Sequence, residues 1–347
     1  MTSEHLDAWT ASGAAALIGR ADRPPLDPPA GLIDAVARLG RTLDVDAEAL
    51  LAERASISGF TRNGDVSCGG GTRLLPVADG WIAVSLTRTD DIELLPAWLG
   101  CDVTGAPFAT VATHVRARAA ADVVERARLL GLPVAALGEL RDPRPVLATS
   151  FGARPPLSSP PLIIDLSSLW AGPLCTRLLL ERGARVIKVE SLARPDGARR
   201  GPPEFYKRMN SGKESVVVDF ADQYDIARLR ELLATADVVV EASRPRALEQ
   251  LGIFADDVLT EGPAVWLSIT GYGRAAPMRD WVAFGDDAAV AGGLVVWDAA
   301  GPCFCADAVA DPLTGLTAAV AVLDALWGEE RVLLDVALAH VAAGIMN

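Results

Sequence analysis

Long apolar stretches are absent from this sequence, and basic residues are scarce. No run of 18 uninterrupted apolar residues occurs in its 347 residues, and the first ten residues lack the basic patch and apolar core of a secretory leader. Lys+Arg 32 against Asp+Glu 45 gives a net charge of -13. Because nucleic acids and anionic membranes bind basic surfaces, neither is expected as a partner. We therefore expect a cytoplasmic protein that binds any anionic ligand through local groups.

Cysteine and histidine are too few and too dispersed for a disulfide framework or a metal site. The five cysteines form no C-x-x-C pair, which favours reduced thiols. Cys303 and Cys305 are close in sequence but lack the further Cys or His ligands of a zinc site. His5, His114 and His340 are isolated from acidic or serine clusters. No metal is expected, and each histidine is interpreted as structural or exposed.

The common nucleotide-binding and hydrolase motifs are also missing. The sequence contains no P-loop, no G-x-S-x-G nucleophile elbow and no H-E-x-x-H motif. Its first strand-to-helix junction, Asp165 to Leu174, lacks the G-x-G-x-x-G spacing that lets a pyrophosphate approach a helix N-terminus. NAD and FAD are therefore not expected as cofactors.

Strand and helix signals alternate from Pro161 onward. The predicted strands are PLIIDLS, RVIKVES, SVVVDF, DVVVEAS and AVWLSITGYG. Between the third and fourth of them, Asp222 to Ala236 places Ile226, Leu229 and Leu233 on one helical face. This order predicts an α/β fold with a doubly wound, mostly parallel (Rossmann-like) sheet in the C-terminal half.

Residues 1–150 are less regular and predict a smaller α+β domain. Trp9 to Leu39 is rich in alanine and is predicted to be helical. Arg73 to Leu86 is predicted to form a hairpin that turns at Asp79-Gly80, and Ala119 to Leu130 is predicted to form another helix.

A proline- and serine-rich stretch separates the two halves. Four prolines and three serines interrupt the periodic pattern between Ser150 and Leu162. We interpret residues 151–160 as a linker and residues 161–347 as the second domain.

Two arginines mark a candidate anion site. Arg244 and Arg246 flank Pro245, where a strand ends and a helix is predicted to begin. Cations at a helix N-terminus oppose its dipole, whereas an anion there is favoured both by the dipole and by the arginines. The corner fits either a bound phosphate or sulfate or two solvated arginines, and the sequence leaves both interpretations open.

Asp311 and a glycine run are further candidates. Asp311 precedes Pro312 and an apolar helix, which is typical of an N-cap residue. Donors at a helix start would lower the pKa of the carboxyl group and orient it as an anionic nucleophile, so the two roles are compatible. Gly69, Gly70 and Gly71 fit either a wide turn or a flexible lid, and the turn is favoured.

Several segments together resemble the first half of family III CoA-transferases, the carnitine and bile-acid type, whose superfamily includes 2-methylacyl-CoA racemases. The segments are IIDLSSLWAGPLCTRLLLERGARVIKVES, NSGKESVVVDF, ADVVVEASRPRALEQLG, LSITGYGRAAPMRD and ADPLTGLTAAVAVLDALWG. In the N-terminal half, CGGGTRLLPVADGWIAVSLT resembles the smaller domain of the family, which normally follows the large one. The reversed order fits either a permutation or a trimmed tandem.

The resemblance implies an enzyme that moves CoA from an acyl-CoA thioester to a carboxylic acid. Asp311 matches the reacting aspartate of the family's ADxxxG segment and would form a mixed anhydride and then an aspartyl thioester. Gly69, Gly70 and Gly71 match the glycine loop that closes over this aspartate. The resemblance implies CoA contacts at Ser168, Leu169, Trp170, Ala171, Ser191, Val218, Ser243 and Arg244, the last near the adenine or phosphate end.

Departures from the family pattern leave two alternatives open. Ser191, Ala221 and Gln250 replace basic residues that often contact CoA phosphates, which fits a catalytically weak CoA-binding or assembly subunit. Phe284 stands where the racemases have a histidine and cannot transfer a proton, so a racemase is disfavoured. The resemblance implies a homodimer, interlocked or simply swapped. The acyl donor and the acceptor acid are not predicted.

Overall fold

A computed structural model describes residues 3–103 and 105–346 of the chain. The strands are β1 (Thr72–Val77), β2 (Gly80–Ser85), β3 (Val134–Ala136), β4 (Val146–Ala153), β5 (Leu162–Asp165), β6 (Arg185–Ser191), β7 (Glu214–Val218), β8 (Val238–Glu241), β9 (Val265–Thr270), β10 (Val295–Asp298), β11 (Gly301–Phe304) and β12 (Glu330–Ala337). The helices are α1 (Ser3–Ala11), α2 (Ala30–Leu43), α3 (Ala47–Ser58), α4 (Thr89–Glu93), α5 (Leu95–Leu99), α6 (Pro107–Val115), α7 (Ala120–Leu129), α8 (Ala171–Leu180), α9 (Pro203–Asn210), α10 (Gln223–Ala234), α11 (Arg246–Glu249), α12 (Ala255–Glu261), α13 (Gly285–Ala291), α14 (Ala310–Trp327) and α15 (Leu338–Met346).

The largest sheet has seven strands in the order β4-β12-β9-β8-β5-β6-β7. Its pairs are parallel except the pair of β4 with β12. Successive side chains alternate between two cores, so that Val265 and Leu267 of β9 face one core and Trp266 faces the other. Helix α10 covers the second core with Leu229 and Leu233. The predicted doubly wound, mostly parallel sheet is confirmed.

The winding of this sheet reverses between β5 and β8. From β5 the chain proceeds outward through β6 and β7, and it then returns to β8 and proceeds the other way through β9 and β12. The loops that follow β5 and β8 therefore diverge at the carboxyl edge of the sheet. In open α/β sheets, ligands bind in the crevice that such a reversal creates.

The N-terminal half contributes to two different cores. Strands β1–β3 and helices α5–α7 enclose a core of their own, around Trp98 and Val111. Helices α1–α3 instead pack on the large sheet, where Trp9, Leu32 and Leu51 join the core that contains α8 and α14. We propose that residues 72–136 are the smaller unit.

Local predictions in the N-terminal half are confirmed in part. The hairpin forms, with Val77 paired to Gly80 and Ala78-Asp79 as its turn residues. The predicted helix near Ala119 is α7. The stretch from Trp9 to Leu39 is only partly helical, because residues 18–29 carry four prolines and are irregular.

Strand β4 crosses the expected boundary at residue 150. It pairs with β12 along Val146 to Ala153, so the expected linker 151–160 begins inside a strand of the large sheet. Six of its eight residues are exposed, which leaves no alternation of apolar and polar residues to mark a strand. The sheet thus includes chain from both sides of the boundary.

Candidate active site

A cavity of about 210 Å³ lies in the crevice at the carboxyl edge of the large sheet. The loop after β5 lines it with Ser168, Leu169 and Ala171, and the loop after β8 lines it with Ala242, Ser243 and Arg244. The rest of the wall is formed by the end of β9, the segment from Trp281 to Phe284, and the side chains of Arg88, Arg279, Asp311 and Leu338. The cavity therefore lies where the winding of the sheet reverses.

The loop after β5 is held in an unusual conformation by a buried ion pair. Leu169 has φ 69, in the left-handed region that side chains other than glycine rarely adopt. Its backbone N–H donates to Asp196 Oδ1 at 2.9 Å, and Lys188 Nζ binds Asp196 Oδ2 at 2.9 Å. Lys188 also donates to the Ser167 carbonyl. Lys188 and Asp196 are 1% and 2% exposed, so the surrounding structure fixes this strained loop.

A second buried network lies beneath the same loop. Asp165, at the end of β5, accepts hydrogen bonds from Ser167 N–H at 2.9 Å and from Thr176 Oγ1 at 2.6 Å. Lys213 Nζ lies 3.0 Å from Asp165 Oδ2. Burial opposes ionisation of Asp165, but Lys213 and Lys188 outweigh it and hold the pKa of its carboxyl group below the usual range. The network ties the loop to the first turns of α8.

Asp311 projects into the cavity from the second residue of α14. The helix begins at Ala310 and its N-cap is Val309, so the prediction of Asp311 as N-cap is wrong. Its carboxylate instead contacts the start of α13, where Oδ2 lies 2.4 Å from the position that a Cβ on Gly285 would take. The Gly285 N–H donates to it. Because glycine has no side chain, residue 285 leaves room for the carboxylate of Asp311.

The pKa of Asp311 is raised to about 7 and not lowered as predicted. Burial is the main cause, and the neighbouring carboxylates of Asp286 and Asp307 add to it. The guanidinium of Arg54 and the Gly285 N–H oppose this shift. Asp311 thus exchanges its proton near neutral pH.

Arg54 brings a positive charge to this carboxylate cluster from helix α3. Its Nε donates to Asp307 Oδ2 at 2.8 Å, and Asp307 is fully buried. Its guanidinium also lies 4.9 Å from the Trp170 ring and 5.9 Å from the Phe60 ring, at cation–π distances. Asp286 has a pKa raised to about 6, chiefly by burial and then by Asp307. The positive charge of Arg54 therefore acts on three neighbouring carboxyl groups, those of Asp307, Asp286 and Asp311.

The segment that leads into Asp311 is strained. Ala306 and Ala308 have φ 61 and φ 42, both in the left-handed region. The N–H of Ala308 donates to Asp286 Oδ1 at 3.0 Å, and Asp307 between them binds Arg54. Strain of this kind persists only where surrounding contacts determine the backbone, and it is common at functional sites.

The glycine run forms a turn beside this segment and does not line the cavity. Gly70 donates its N–H to the Ser67 carbonyl at 2.8 Å. The two flanking residues contact the carboxylate region: Cys68 Sγ lies 3.6 Å from the Ala306 carbonyl, and Thr72 Oγ1 lies 3.3 Å from Asp286 Oδ2. The turn predicted for Gly69, Gly70 and Gly71 is confirmed, and their role as a lid stays a prediction.

Contacts between the two units shape the far wall of the cavity. Arg128 of α7 stacks 3.9 Å from the ring centre of Trp281 and 4.8 Å from that of Tyr272. It also pairs with Glu139, which accepts from Tyr272 Oη at 3.2 Å. Ser85 Oγ donates to Asp287 Oδ1 at 2.7 Å. The smaller unit therefore fixes Trp281 and helix α13.

The remaining predicted CoA contacts are divided between the cavity and its surroundings. Ser168, Leu169, Ala171, Ser243 and Arg244 line the cavity. Trp170 does not, because its ring is 1% exposed and packs edge-on against Phe205 at 5.6 Å.

Ser191 and Val218 lie outside the cavity. They pair with each other at the carboxyl ends of β6 and β7, where they continue the same sheet edge beyond the loop after β5. A ligand that reaches them must extend along this edge from the cavity.

Arg54, Asp307, Asp286, Arg88 and Arg279 belong to the site and were not predicted. The only local signal among them is the acidic pair after Phe284 in an otherwise apolar segment, which marks Asp286 as unusual. The others reach the site from distant segments of the chain. Their spacing in the sequence carries no information on this proximity.

Two further features concern metals and membranes. Within residues 3–103 and 105–346, His, Cys, Asp and Glu side chains form no group of three or more that could hold a metal ion. In the same part of the chain, no helix combines the length and the apolar character needed to cross a bilayer.

Comparison with known proteins places the C-terminal half among CoA-transferases. Residues 162–347 match a sequence model described as "CoA-transferase family III". An "Acyl-CoA transferase" of Fusarium pseudograminearum is 33% identical over 49% of this chain and 41% of its own length. A "Succinate--glutarate CoA-transferase" of Agrobacterium fabrum is 31% identical over 56% of this chain and 53% of its own length. The human "Succinyl-CoA:glutarate CoA-transferase" is 34% identical over 38% of this chain and 32% of its own length.

Solved structures agree with this assignment. A CAIB/BAIF family protein from Brucella suis superposes with a TM-score of 0.50 at 27% identity, over 54% of each chain. A hypothetical protein from Mycobacterium tuberculosis gives a TM-score of 0.50 at 30% identity, over 56% of this chain and 57% of its own. The chain spans from about a third to about half of the length of the curated relatives named above. Since the family model covers more than half of the chain, the protein belongs to CoA-transferase family III.

Proposed function

We propose that the protein transfers CoA between an acyl-CoA thioester and a carboxylic acid, with Asp311 as the nucleophile. The observation that carries this proposal is the position of Asp311, whose carboxylate reaches a cavity at the reversal point of the sheet. A carboxylate with a pKa near 7 can be ionised for attack at neutral pH and is less stabilised as an anion than an ordinary surface aspartate.

The first half of the proposed reaction forms two covalent intermediates in turn. An oxygen of Asp311 attacks the thioester carbonyl, the C–S bond breaks, and CoA leaves as a thiolate. The thiolate then attacks the aspartyl carbonyl of the mixed anhydride, which releases the first acid as its carboxylate and leaves an aspartyl-CoA thioester. The acceptor carboxylate repeats both steps in reverse and regenerates the carboxylate of Asp311.

The residues around Asp311 have distinct proposed roles. The Gly285 N–H orients one oxygen of Asp311, and the guanidinium of Arg54 favours its ionised form. The strained loop at Leu169 presents its backbone to the CoA portion, since Leu169 lines the cavity and is 40% exposed. Gly69, Gly70 and Gly71 close over the intermediate as a lid by movement of the turn that follows Cys68.

The relatives support acids as both donor and acceptor. Two of those named above carry names that state CoA transfer between succinate and glutarate. We propose the same reaction class for this chain. The homodimer stays a prediction from the resemblance, and analytical ultracentrifugation of the purified protein tests it. The cytoplasmic location stays a prediction from the sequence.

Chemical trapping tests the proposed intermediate. The protein is incubated with acyl-CoA and then treated with hydroxylamine or borohydride, and peptide mass spectrometry locates the modified residue. We expect a hydroxamate or an alcohol at Asp311 and none in Asp311→Asn. An unmodified Asp311 in protein that turns over would overturn the proposal. Binding of CoA without label exchange between acyl-CoA and free acid would instead support the assembly-subunit alternative.

A further inference from the structure

Two arginines from different parts of the fold meet at one glycine on the cavity wall. Arg88 Nη2, from the residue that precedes α4, donates to the carbonyl of Gly131 at 3.0 Å. Arg244 Nη1, from the loop after β8, lies 3.9 Å from the position that a Cβ on Gly131 would take. Both side chains line the cavity that contains Asp311. Two guanidinium groups therefore lie side by side at the contact between the smaller unit and the large sheet.

Only one of the two charges is balanced by an acid in an ion pair. Arg88 pairs with Asp91, whose Oδ1 accepts from Nε at 2.9 Å. Among the residues that the structure describes, the guanidinium of Arg244 has neither an ion pair nor a hydrogen-bond partner. Burial, and then the like charges of Arg246 and Arg88, lower the pKa of Arg244. In a chain with a net charge of -13, this local excess of positive charge favours an anion at this place.

The size of the cavity restricts which anion can bind. Its volume of about 210 Å³ is below the ~300–1,000 Å³ of sites that hold drug-sized ligands. The phosphates of CoA are separated from its thioester by the whole pantetheine arm. With the reacting carbonyl at Asp311, a CoA phosphate could reach the arginine pair only if the pantetheine arm folded back on itself in or beside this small cavity. The cavity can hold a carboxylate a few carbons from that carbonyl.

We propose that Arg88 and Arg244 bind the second carboxylate of a short dicarboxylic acid, free or as its CoA monothioester. Planar guanidinium groups bind carboxylates through paired N–H donors, which gives direction as well as charge. The cavity then holds the acid with one carboxyl group at Asp311 and the other at the arginine pair. This inference rests on the proposed function, because it requires the reacting carbonyl at Asp311.

Matched thioesters show whether the arginine pair binds the acyl carboxylate or a CoA phosphate. Succinyl and butyryl thioesters have the same chain length and differ in the second carboxylate. Each is prepared both on CoA and on N-acetylcysteamine, which has no phosphate. For Arg244→Met we expect the succinyl-to-butyryl ratio of kcat/KM to fall about 10- to 100-fold on both carriers. An equal loss for both acyl groups on CoA, with none on N-acetylcysteamine, would mean that Arg244 binds a phosphate and would overturn the inference.

Control variants distinguish the arginine pair from a general effect of charge. Arg246→Met removes the same charge two residues away, at an exposed side chain outside the cavity, and should leave the ratio unchanged. Arg244→Lys should restore part of the preference. Arg88→Met should lower the same ratio from the other side of the contact, with circular dichroism to confirm that the variant is folded. An unchanged ratio in folded Arg88→Met and in Arg244→Met would overturn the inference.

Direct binding keeps the inference testable if no thioester is turned over. Isothermal titration measures succinate and butyrate binding to the wild type and to Arg244→Met. Tighter succinate binding by the wild type, lost in the variant, supports the anion site even where absence of label exchange overturns the proposed function. Equal binding of the two acids by the wild type overturns the anion site even where butyryl-CoA is turned over.

Discussion

Arg54 and Asp307 form a two-point ion pair although 253 positions separate them in the chain. Nε lies 2.8 Å from Oδ2 and Nη2 lies 2.5 Å from Oδ1. The pair joins helix α3, which precedes the family-matched region, to the strained segment that leads into Asp311. A residue of the N-terminal half therefore sets the charge around the proposed nucleophile.

The first prediction concerns the pH dependence of the proposed reaction. Asp311 attacks as a carboxylate and has a pKa of about 7, so kcat/KM for acyl-CoA should rise as the pH increases from 6 to 8. Arg54→Met removes the cation that opposes this raised pKa and leaves Asp307 uncompensated. We expect the midpoint of the profile to move up by about one pH unit.

Two further variants make the first prediction specific. Arg54→Lys keeps the positive charge and should give a midpoint close to that of the wild type. Arg38→Met removes an exposed arginine of α2 and should leave the profile unchanged. A lower rate in Arg54→Met with the wild-type midpoint would mean that Arg54 acts only on structure.

A second prediction concerns the close approach of Asp311 to Gly285. A Cβ at residue 285 would lie 2.4 Å from Asp311 Oδ2 and 2.4 Å from the Ala308 carbonyl oxygen. Gly285→Ala must displace one of them, at a cost of about 1–3 kcal/mol in stability. We expect at least a tenfold loss of kcat in a protein that still folds. Gly80→Ala is the matched control, since a Cβ there meets nothing within 4 Å.

A third prediction concerns the buried pair beneath the loop at Leu169. Lys188→Met leaves the carboxylate of Asp196 buried without its cation, which should lower the free energy of unfolding by about 3–5 kcal/mol. The loop at Leu169 loses the same anchor, so KM for acyl-CoA should rise. Arg185 lies on the same strand as Lys188, and Arg185→Met breaks its exposed pair with Glu214 of β7, which should cost far less because water already solvates both charges. Urea unfolding and initial rates measure both effects.

A fourth prediction concerns Asp287 and the pH dependence of stability. Asp287 is fully buried, and its pKa is raised to about 7, chiefly by burial, although Ser85 and the Phe284 N–H oppose this. The folded protein therefore holds a proton that the unfolded chain loses near pH 4. The stabilisation is complete below pH 4 and is lost as the pH rises through 7.

Comparison of two proteins isolates this contribution. The free energy of unfolding is measured at pH 5 and at pH 8 for the wild type and for Asp287→Asn. The decrease from pH 5 to pH 8 should be smaller in the variant by about 2–3 kcal/mol, since pH 5 lies two units below the folded pKa and each unit corresponds to about 1.4 kcal/mol. An equal or larger decrease in the variant would contradict the assignment of the proton to Asp287.

The sequence predicts the centre of the parallel sheet well because β5, β6, β8 and β9 are buried on both faces. Such strands are rich in β-branched residues, and the predicted strand RVIKVES coincides with β6. Strand β4 is not predicted, because it lies at an exposed edge of the sheet, where burial imposes no alternation of apolar and polar residues. Helices α1–α3 were assigned to the smaller domain because chain order was the only guide to their packing partner.

The candidate site is predicted only where residues carry a family signal, as at Asp311 and at the five expected CoA contacts that line the cavity. Asp311 was identified from its ADxxxG segment, and the structure adds the cavity around it. Its pKa was predicted in the wrong direction, because local helix capping was considered without burial or the carboxylates of Asp286 and Asp307. Arg54 and Arg88 could not be predicted, since only the folded chain brings them to the site.

The pairing of β4 with β12 has a consequence for the C-terminal half as a separate polypeptide. If residues 161–347 are produced alone, β12 becomes the outer strand of the sheet and exposes the N–H and C=O groups that β4 satisfies. The last five residues of β12 are buried and include Leu333, Leu334 and Val336. A long apolar edge of this kind pairs readily with other chains. The C-terminal half is therefore expected to aggregate unless residues 146–153 accompany it.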